Sequence, residues 1–218
     1  MHKARKTRVL LAALLVFGLP AGASAQVAGT VSVEGHGGLA VPLGTLSDLT
    51  STGGTFGGGL AVHLTPNVAL RGDIMLVKVD NGRDDSGALM SPPVDFLYYG
   101  GGIELNFNAP LYQDLPMTFA ANLEAGWTNM DVDETFDGPG EHPAENIDQG
   151  YLTLSGGGMV GFRVYGSESM DANVFVRAQP MLILTDSNDM VPYASLLEVE
   201  PFDHVWLMPL TAGVRLTF

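Results

Sequence analysis

The chain has no cysteine among its 218 residues. No disulfide can staple it, and no thiolate can ligate a metal or attack a substrate. Basic side chains are scarce: ten Lys and Arg stand against 24 Asp and Glu, a net charge of −14. That balance argues against a nucleic-acid partner. Long apolar runs are missing as well, and nothing after the N-terminal stretch reaches the roughly 18 apolar residues that a membrane helix needs. If the chain crosses a membrane, it must do so as a closed barrel, the other structure that satisfies every backbone polar group in lipid.

The first 25 residues have a separate logic. Lys3, Arg5, Lys6 and Arg8 precede an apolar stretch, Val9 to Leu19, that Pro20 and Gly22 interrupt. Ala23-Ser24-Ala25 then supplies small residues before Gln26. This is the pattern of a cleaved secretory signal peptide. Residues 1–25 are therefore set aside, and 26–218 are read as one domain. The leader takes four basic residues and no acid, leaving six against 24 and a net charge of −18.

What the remainder has is alternation. Counting back from the end, Phe218, Leu216, Val214, Ala212, Leu210, Met208 and Trp206 are apolar, while Thr217, Arg215, Gly213, Thr211 and Pro209 lie between them. A period of two is a strand with one greasy face. The same pattern recurs near residues 30–41, 55–64, 68–79, 96–107, 117–129, 150–164 and 172–184, for eight strands in all. Their connections alternate long and short, with the long ones near 42–54, 80–95, 130–149 and 185–203. Strands long enough to cross hydrocarbon at a tilt, with long loops on one side and tight turns on the other, predict an all-β, eight-stranded antiparallel up-and-down transmembrane barrel. Trp127 and Trp206 near the long loops, and Phe107, Phe119 and Phe218 near the short turns, fit two aromatic interface bands.

With the apolar parity facing lipid, the other parity faces in. It carries Glu34, Asp73, Glu104 and Glu124 together with Arg71, Arg163, Arg177 and Arg215. An eight-stranded barrel is filled by side chains rather than open. Four acids and four arginines inside it are expected to pair as a charged plug, or to line a gated polar path. Glycine triplets at 57–59, 100–102 and 156–158 make room for them. Inward Phe96, Phe175, Met181, Ile183, Val205 and Leu207 are expected to gather at the loop-side mouth. There they either form a lid or hold a small hydrophobic ligand.

The leader, the eight alternating strands, the uneven loops and the terminal Phe218 together resemble the small outer-membrane barrels of the OmpA transmembrane-domain, OmpX and OmpW kind. The resemblance spans Gln26 to Phe218. It implies an outer-membrane location in a Gram-negative-type envelope, with long loops extracellular and termini periplasmic. It implies contact with outer-membrane lipid and lipopolysaccharide. Leu210, Ala212, Val214, Leu216 and Phe218 match the C-terminal signal that the insertion machinery reads in that family. Its OmpW-like members imply a passive, porin-like route for small hydrophobic molecules.

The four long loops hold 17 of the 24 acids. The run Asp131-Val132-Asp133-Glu134-Thr135-Phe136-Asp137-Gly138 lacks the early glycine of an EF-hand, so solvated, self-repelling loops are expected rather than a metal site. No cofactor motif is present. An enzyme would need a nucleophile and base within reach of substrate. The lipid-facing parity offers neither, and His36, His63, Ser32 and Ser155 share the inward parity. The expected role is therefore structural or surface-binding, with no catalysis. In detergent, unboiled protein should migrate apart from boiled protein on a denaturing gel and give a β-type far-UV spectrum; a helical spectrum sinks the barrel.

Overall fold

A computed structural model describes residues 29–81, 93–107, 117–132, 149–167, 169–187 and 203–218. The expected signal peptide and most of the last three long loops lie outside them. The strands are β1 (Val31–Leu43), β2 (Thr50–Thr65), β3 (Val68–Asn81), β4 (Val94–Phe107), β5 (Met117–Val132), β6 (Gln149–Gly166), β7 (Asp171–Ala178), β8 (Met181–Leu184) and β9 (His204–Thr217), with a short helix α1 (Thr45–Leu49) between β1 and β2.

Each strand pairs antiparallel with its predecessor from β1 through β7, and β9 returns to β1 from Ser32↔Thr217 to Leu43↔Trp206. That last ladder closes the sheet and removes its edges, as a barrel requires. The nine segments make a ring of eight because β7 and β8 are two halves of one ribbon. Both pair with β6 on one side and β9 on the other.

The interruption at Gln179-Pro180 has a plain cause. Gln179 N–H donates to Pro209 O at 3.0 Å, and Gly156 N–H donates to Pro180 O at 3.1 Å. Neither proline has an N–H with which to return the bond. Two rungs are therefore halved side by side, and the seventh ribbon breaks where one unbroken strand was expected.

The expected first loop is also shorter than the alternation suggested. Strand β2 begins at Thr50, with a register shift between Ser51 and Gly54. Helix α1 fills the space before it. Gly44, at φ 61°, takes the left-handed turn that starts it. Ser47 N–H donates to Gly44 O at 2.9 Å and Thr50 Oγ1 donates to Leu46 O at 2.9 Å, so both ends are tied. A bulge and polar small residues hid these from a period-two reading.

The outer face is apolar. Leu39, Phe56, Leu70, Ile74, Ile103, Leu123, Leu154, Val176, Leu210 and Val214 all project outward and are exposed on the isolated chain. A soluble monomer does not leave so continuous an apolar surface in water. Covered by acyl chains, it is a membrane-facing wall. Tyr99 and Trp127 are direct cross-strand partners toward the loop end, while Phe107, Phe162, Tyr165 and Phe218 lie toward the turns. These are two aromatic belts on opposite rims.

The prolines make a local prediction. In micelles, amide hydrogens at Gly156, Gln179 and Met181 should exchange ahead of the uninterrupted β4–β5 ladder, at partly opened free energies. Equal protection across both ladders counts against a weak seam at Pro180 and Pro209.

Candidate functional site

Inward side chains fill the barrel in three layers, and the middle one is charged. Its members come from six strands: Glu34 on β1, Arg71 and Asp73 on β3, Glu104 on β4, Glu124 on β5, Arg177 on β7 and Arg215 on β9. The pleat forces this convergence, because alternate residues of every strand point at one axis.

Arg71 is the centre. Its Nη1 donates to Glu34 Oε1 at 3.0 Å and to Glu104 Oε2 at 2.9 Å. Its Nη2 donates to Glu34 Oε2 at 2.6 Å and to Asp73 Oδ2 at 2.9 Å. Its Nε lies 3.0 Å from Glu124 Oε1. One planar fork thus touches every acid of the layer, a role that a lysine could not fill. Glycine at position 59 makes room, since a Cβ there would meet Asp73 Oδ1 at 2.9 Å and Arg71 Nη2 at 3.0 Å.

Arg215 grips Glu104 through Nη1 at 2.9 Å and Nη2 at 2.5 Å, and also pairs with Glu34. Glu34 and Arg215 are direct partners across the closing β1–β9 ladder. Arg177 Nη1 reaches Asp73 Oδ2 at 3.1 Å and Glu34 Oε2 at 3.5 Å, and its guanidinium carbon sits 5.7 Å from the Phe175 ring centroid. That last contact is within cation–π range. These seven side chains are at most 7 % exposed.

Arg163 departs from the expectation. Its side chain is 51 % exposed and pairs with Asp171 rather than with an interior acid. The position lies at the turn-side end of β6, where the β6–β7 register shifts between Arg163 and Tyr165. Parity marks the side of a strand but not its height on the wall, and at this height water reaches the side chain. The interior therefore holds four acids and three arginines, not the expected four and four.

Neutral polar groups complete the layer, and charge counting missed them. Glu124 accepts from Asn122 Nδ2 at 2.5 Å, Tyr98 OH at 3.1 Å and Gln179 Nε2 at 3.4 Å. His36 Nε2 lies 3.4 Å from Asp73 Oδ1. All share the inward parity, which is the one signal that could have found them.

Toward the loops the interior turns apolar. Ala40, Leu46, Met75, Val77, Val79, Val94, Phe96, Tyr98, Met130, Tyr151, Met181, Ile183, Val205 and Leu207 form one buried cluster. Five of the six expected mouth residues are in it. Phe175 is not: it packs with Ala120 and Met159 on the turn side of the charged layer. It precedes Arg177 on a strand that starts at the turn, so it sits below the charge. Leu46, unforeseen, drops from α1 into the cluster and is 2 % exposed. At the turn end, Ser32 Oγ contacts His63 Nε2 at 3.0 Å and Thr217 Oγ1 at 2.8 Å.

Leu210, Ala212 and Val214 face outward on β9, and Phe218, just past its end, is exposed. Among the described residues no group of three or more His, Asp or Glu is arranged to hold a metal.

Comparison with solved structures agrees with this architecture. Neisserial surface protein A, NspA, superposes with a TM-score of 0.54 over 86 % of this chain and 97 % of its own, at 14 % identity. The fold is that of a small outer-membrane β-barrel. Ail of Yersinia pestis (TM-score 0.45, 12 % identity, 87 % and 99 % covered) and OprG of Pseudomonas aeruginosa (0.45, 10 %, 88 % and 97 %) are more distantly similar. No protein-family model matches the chain, and no curated protein does.

The geometry separates two arginines. Arg71→Ala leaves four buried carboxylates facing two guanidinium groups, and should cost at least about 3–5 kcal/mol in urea unfolding from lipid vesicles. Arg163→Ala removes an exposed pair and should cost no more than about 1 kcal/mol. Similar midpoints for the two variants contradict the assignment of Arg71 as centre.

Proposed function

We propose that this chain is an outer-membrane barrel with a structural or surface-interaction role, closed to ions by its charged interior. One observation carries this reading. The Arg71-centred layer and the apolar cluster above it occupy the bore in series, with Tyr98 belonging to both. An ion entering from the loop side would meet a desolvating apolar cap and then a layer whose four carboxylates already face three guanidinium groups. Both barriers are high in a low-dielectric bore.

In this reading the long acidic loops face outward from the cell and the termini face the periplasm. The apolar wall contacts lipid and the loop-side rim contacts lipopolysaccharide. The β9 residues Leu210, Ala212, Val214, Leu216 and Phe218 serve the insertion machinery. The protein needs no cofactor, binds no nucleic acid and catalyses no reaction. Its work is done by the wall and by what the loops touch.

A second reading rests on the cap itself. Its side chains are mostly apolar and lie toward the loop-side ends of the strands, with Leu46 seated among them. Were Leu46 to lift, the mouth would accept a small hydrophobic molecule, making the protein a binding barrel or passive channel for such solutes.

Planar-bilayer conductance and liposome uptake, recorded on one preparation, decide between them. The closed barrel predicts no reproducible channels and no uptake above protein-free liposomes. Saturable uptake of a small alkane or arene that Leu207→Trp abolishes, with the variant still heat-modifiable, transfers the assignment to the second reading.

A further inference from the structure

One edge of Arg177 is left over from the charged layer. Its Nη1 donates to Asp73 Oδ2 at 3.1 Å and to Glu34 Oε2 at 3.5 Å, and the Phe175 ring centroid lies 5.7 Å from its guanidinium carbon. Its Nε and Nη2 are buried and donate to no group of the protein. In a guanidinium those two N–H groups lie along one edge and point the same way, as a pair of parallel donors.

Two oxygens on neighbouring inward positions also lack a partner in the protein, Thr211 Oγ1 and Gln179 Oε1. Thr211 is the direct partner of Arg177 across the β7–β9 ladder, which sets their Cβ atoms about 5 Å apart. Gln179 is two residues on from Arg177 with the same parity, at the broken rung where its N–H donates to Pro209 O at 3.0 Å. Its Nε2 donates to Glu124 Oε2 at 3.4 Å and to Ser155 Oγ at 3.3 Å, which turns Oε1 away from them. The adjoining position on β1 is Gly38, opposite Thr211, and on β6 it is Gly157, where a Cβ would meet Gln179 Cα at 3.2 Å. Neither glycine lays a side chain over the patch. Arg177, Gln179 and Thr211 are at most 5 % exposed, so bulk solvent does not satisfy these four atoms.

Buried polar atoms left unpaired forfeit their hydration in full. A cation cannot relieve them, because the guanidinium edge repels it. An anion suits the edge but not its surroundings, since Asp73 and Glu34 already crowd the same guanidinium. A water molecule accepts two hydrogen bonds and donates two, which matches two donors and two acceptors atom for atom.

We propose that Arg177, Thr211 and Gln179 bind one internal water molecule, whose oxygen accepts from Arg177 Nε and Nη2 and whose hydrogens go to Gln179 Oε1 and Thr211 Oγ1. The inference stands on these four atoms and their placement, independently of what the loops bind. The water closes a ring of contacts. Arg71 meets Asp73 at 2.9 Å and Glu124 at 3.0 Å, Asp73 accepts from Arg177, and Glu124 accepts from Gln179. The bound water is the link between Arg177 and Gln179, and it joins the two arms of the layer on the wall where the seventh ribbon is broken.

The direct test is NMR of the wild-type barrel labelled with 15N-arginine and folded in micelles. Water-selective cross-relaxation is recorded at the Nε–H signals, with the rotating-frame sign separating a long-lived neighbour from proton exchange. Arg177 Nε–H should show a cross-relaxation peak to water, whereas exposed Arg163 should show exchange alone. Exchange alone at Arg177, or no water contact there, overturns the proposal. So does a shift of that signal when gluconate is replaced by chloride, which would mark an anion on the edge. Thr211→Val adds a test by sign, since it keeps the shape and removes the hydroxyl. Losing a bridged hydroxyl should raise the unfolding constant about fivefold. An unpaired hydroxyl is better replaced by a methyl, so an unchanged or smaller constant counts against the site.

Discussion

A single guanidinium in contact with four carboxylates governs the interior. Arg71 spends its planar fork on Glu34, Glu104 and Asp73 and turns Nε toward Glu124. Four acids so close together in a dry bore would repel one another beyond tolerance without it. With it, they become the ligands of a cation, and Arg215 and Arg177 extend the lattice to β9 and β7. Charges that would be liabilities singly are compatible with folding because each is held by others. Glu34 links the first strand to the third, seventh and last, so the same contacts that fill the bore help close the ring.

The wall follows from inverting the usual arrangement. Lipid solvates the outer face, so apolar side chains are placed there, and the interior takes the polar and charged ones. Backbone groups are satisfied from strand to strand, which leaves the ladders as the main constraint on shape. Where Pro180 and Pro209 withhold donors, the seventh ribbon breaks into β7 and β8 while neighbours on both sides hold the halves in line. Toward the loop-side ends of the strands the interior becomes apolar, and α1 supplies Leu46 to that cap. Two chemically opposite layers thus lie in series along the bore, one apolar and one of paired charges.

Residue order by itself determined the strand parity, the ring of eight and the direction of nearly every charged strand residue. It did so because a pleat has a period of two and because lipid and a packed bore select opposite side chains. Glu34, Arg71, Asp73, Glu104, Glu124, Arg177 and Arg215 were legible on that ground alone. The exposed chemistry of the wall was legible for the same reason.

Only the tertiary structure decided height and partner. Arg163 has the inward parity but stands at the rim, and Phe175 lies below the charge rather than at the mouth, because the stagger between strands is invisible to alternation. The choice of Arg71 as centre, the recruitment of Tyr98, Asn122, Gln179 and His36, and the descent of Leu46 all bring together residues far apart in the chain. Which side chains meet across a bore depends on the closure of the whole ring, and no local pattern carries that information.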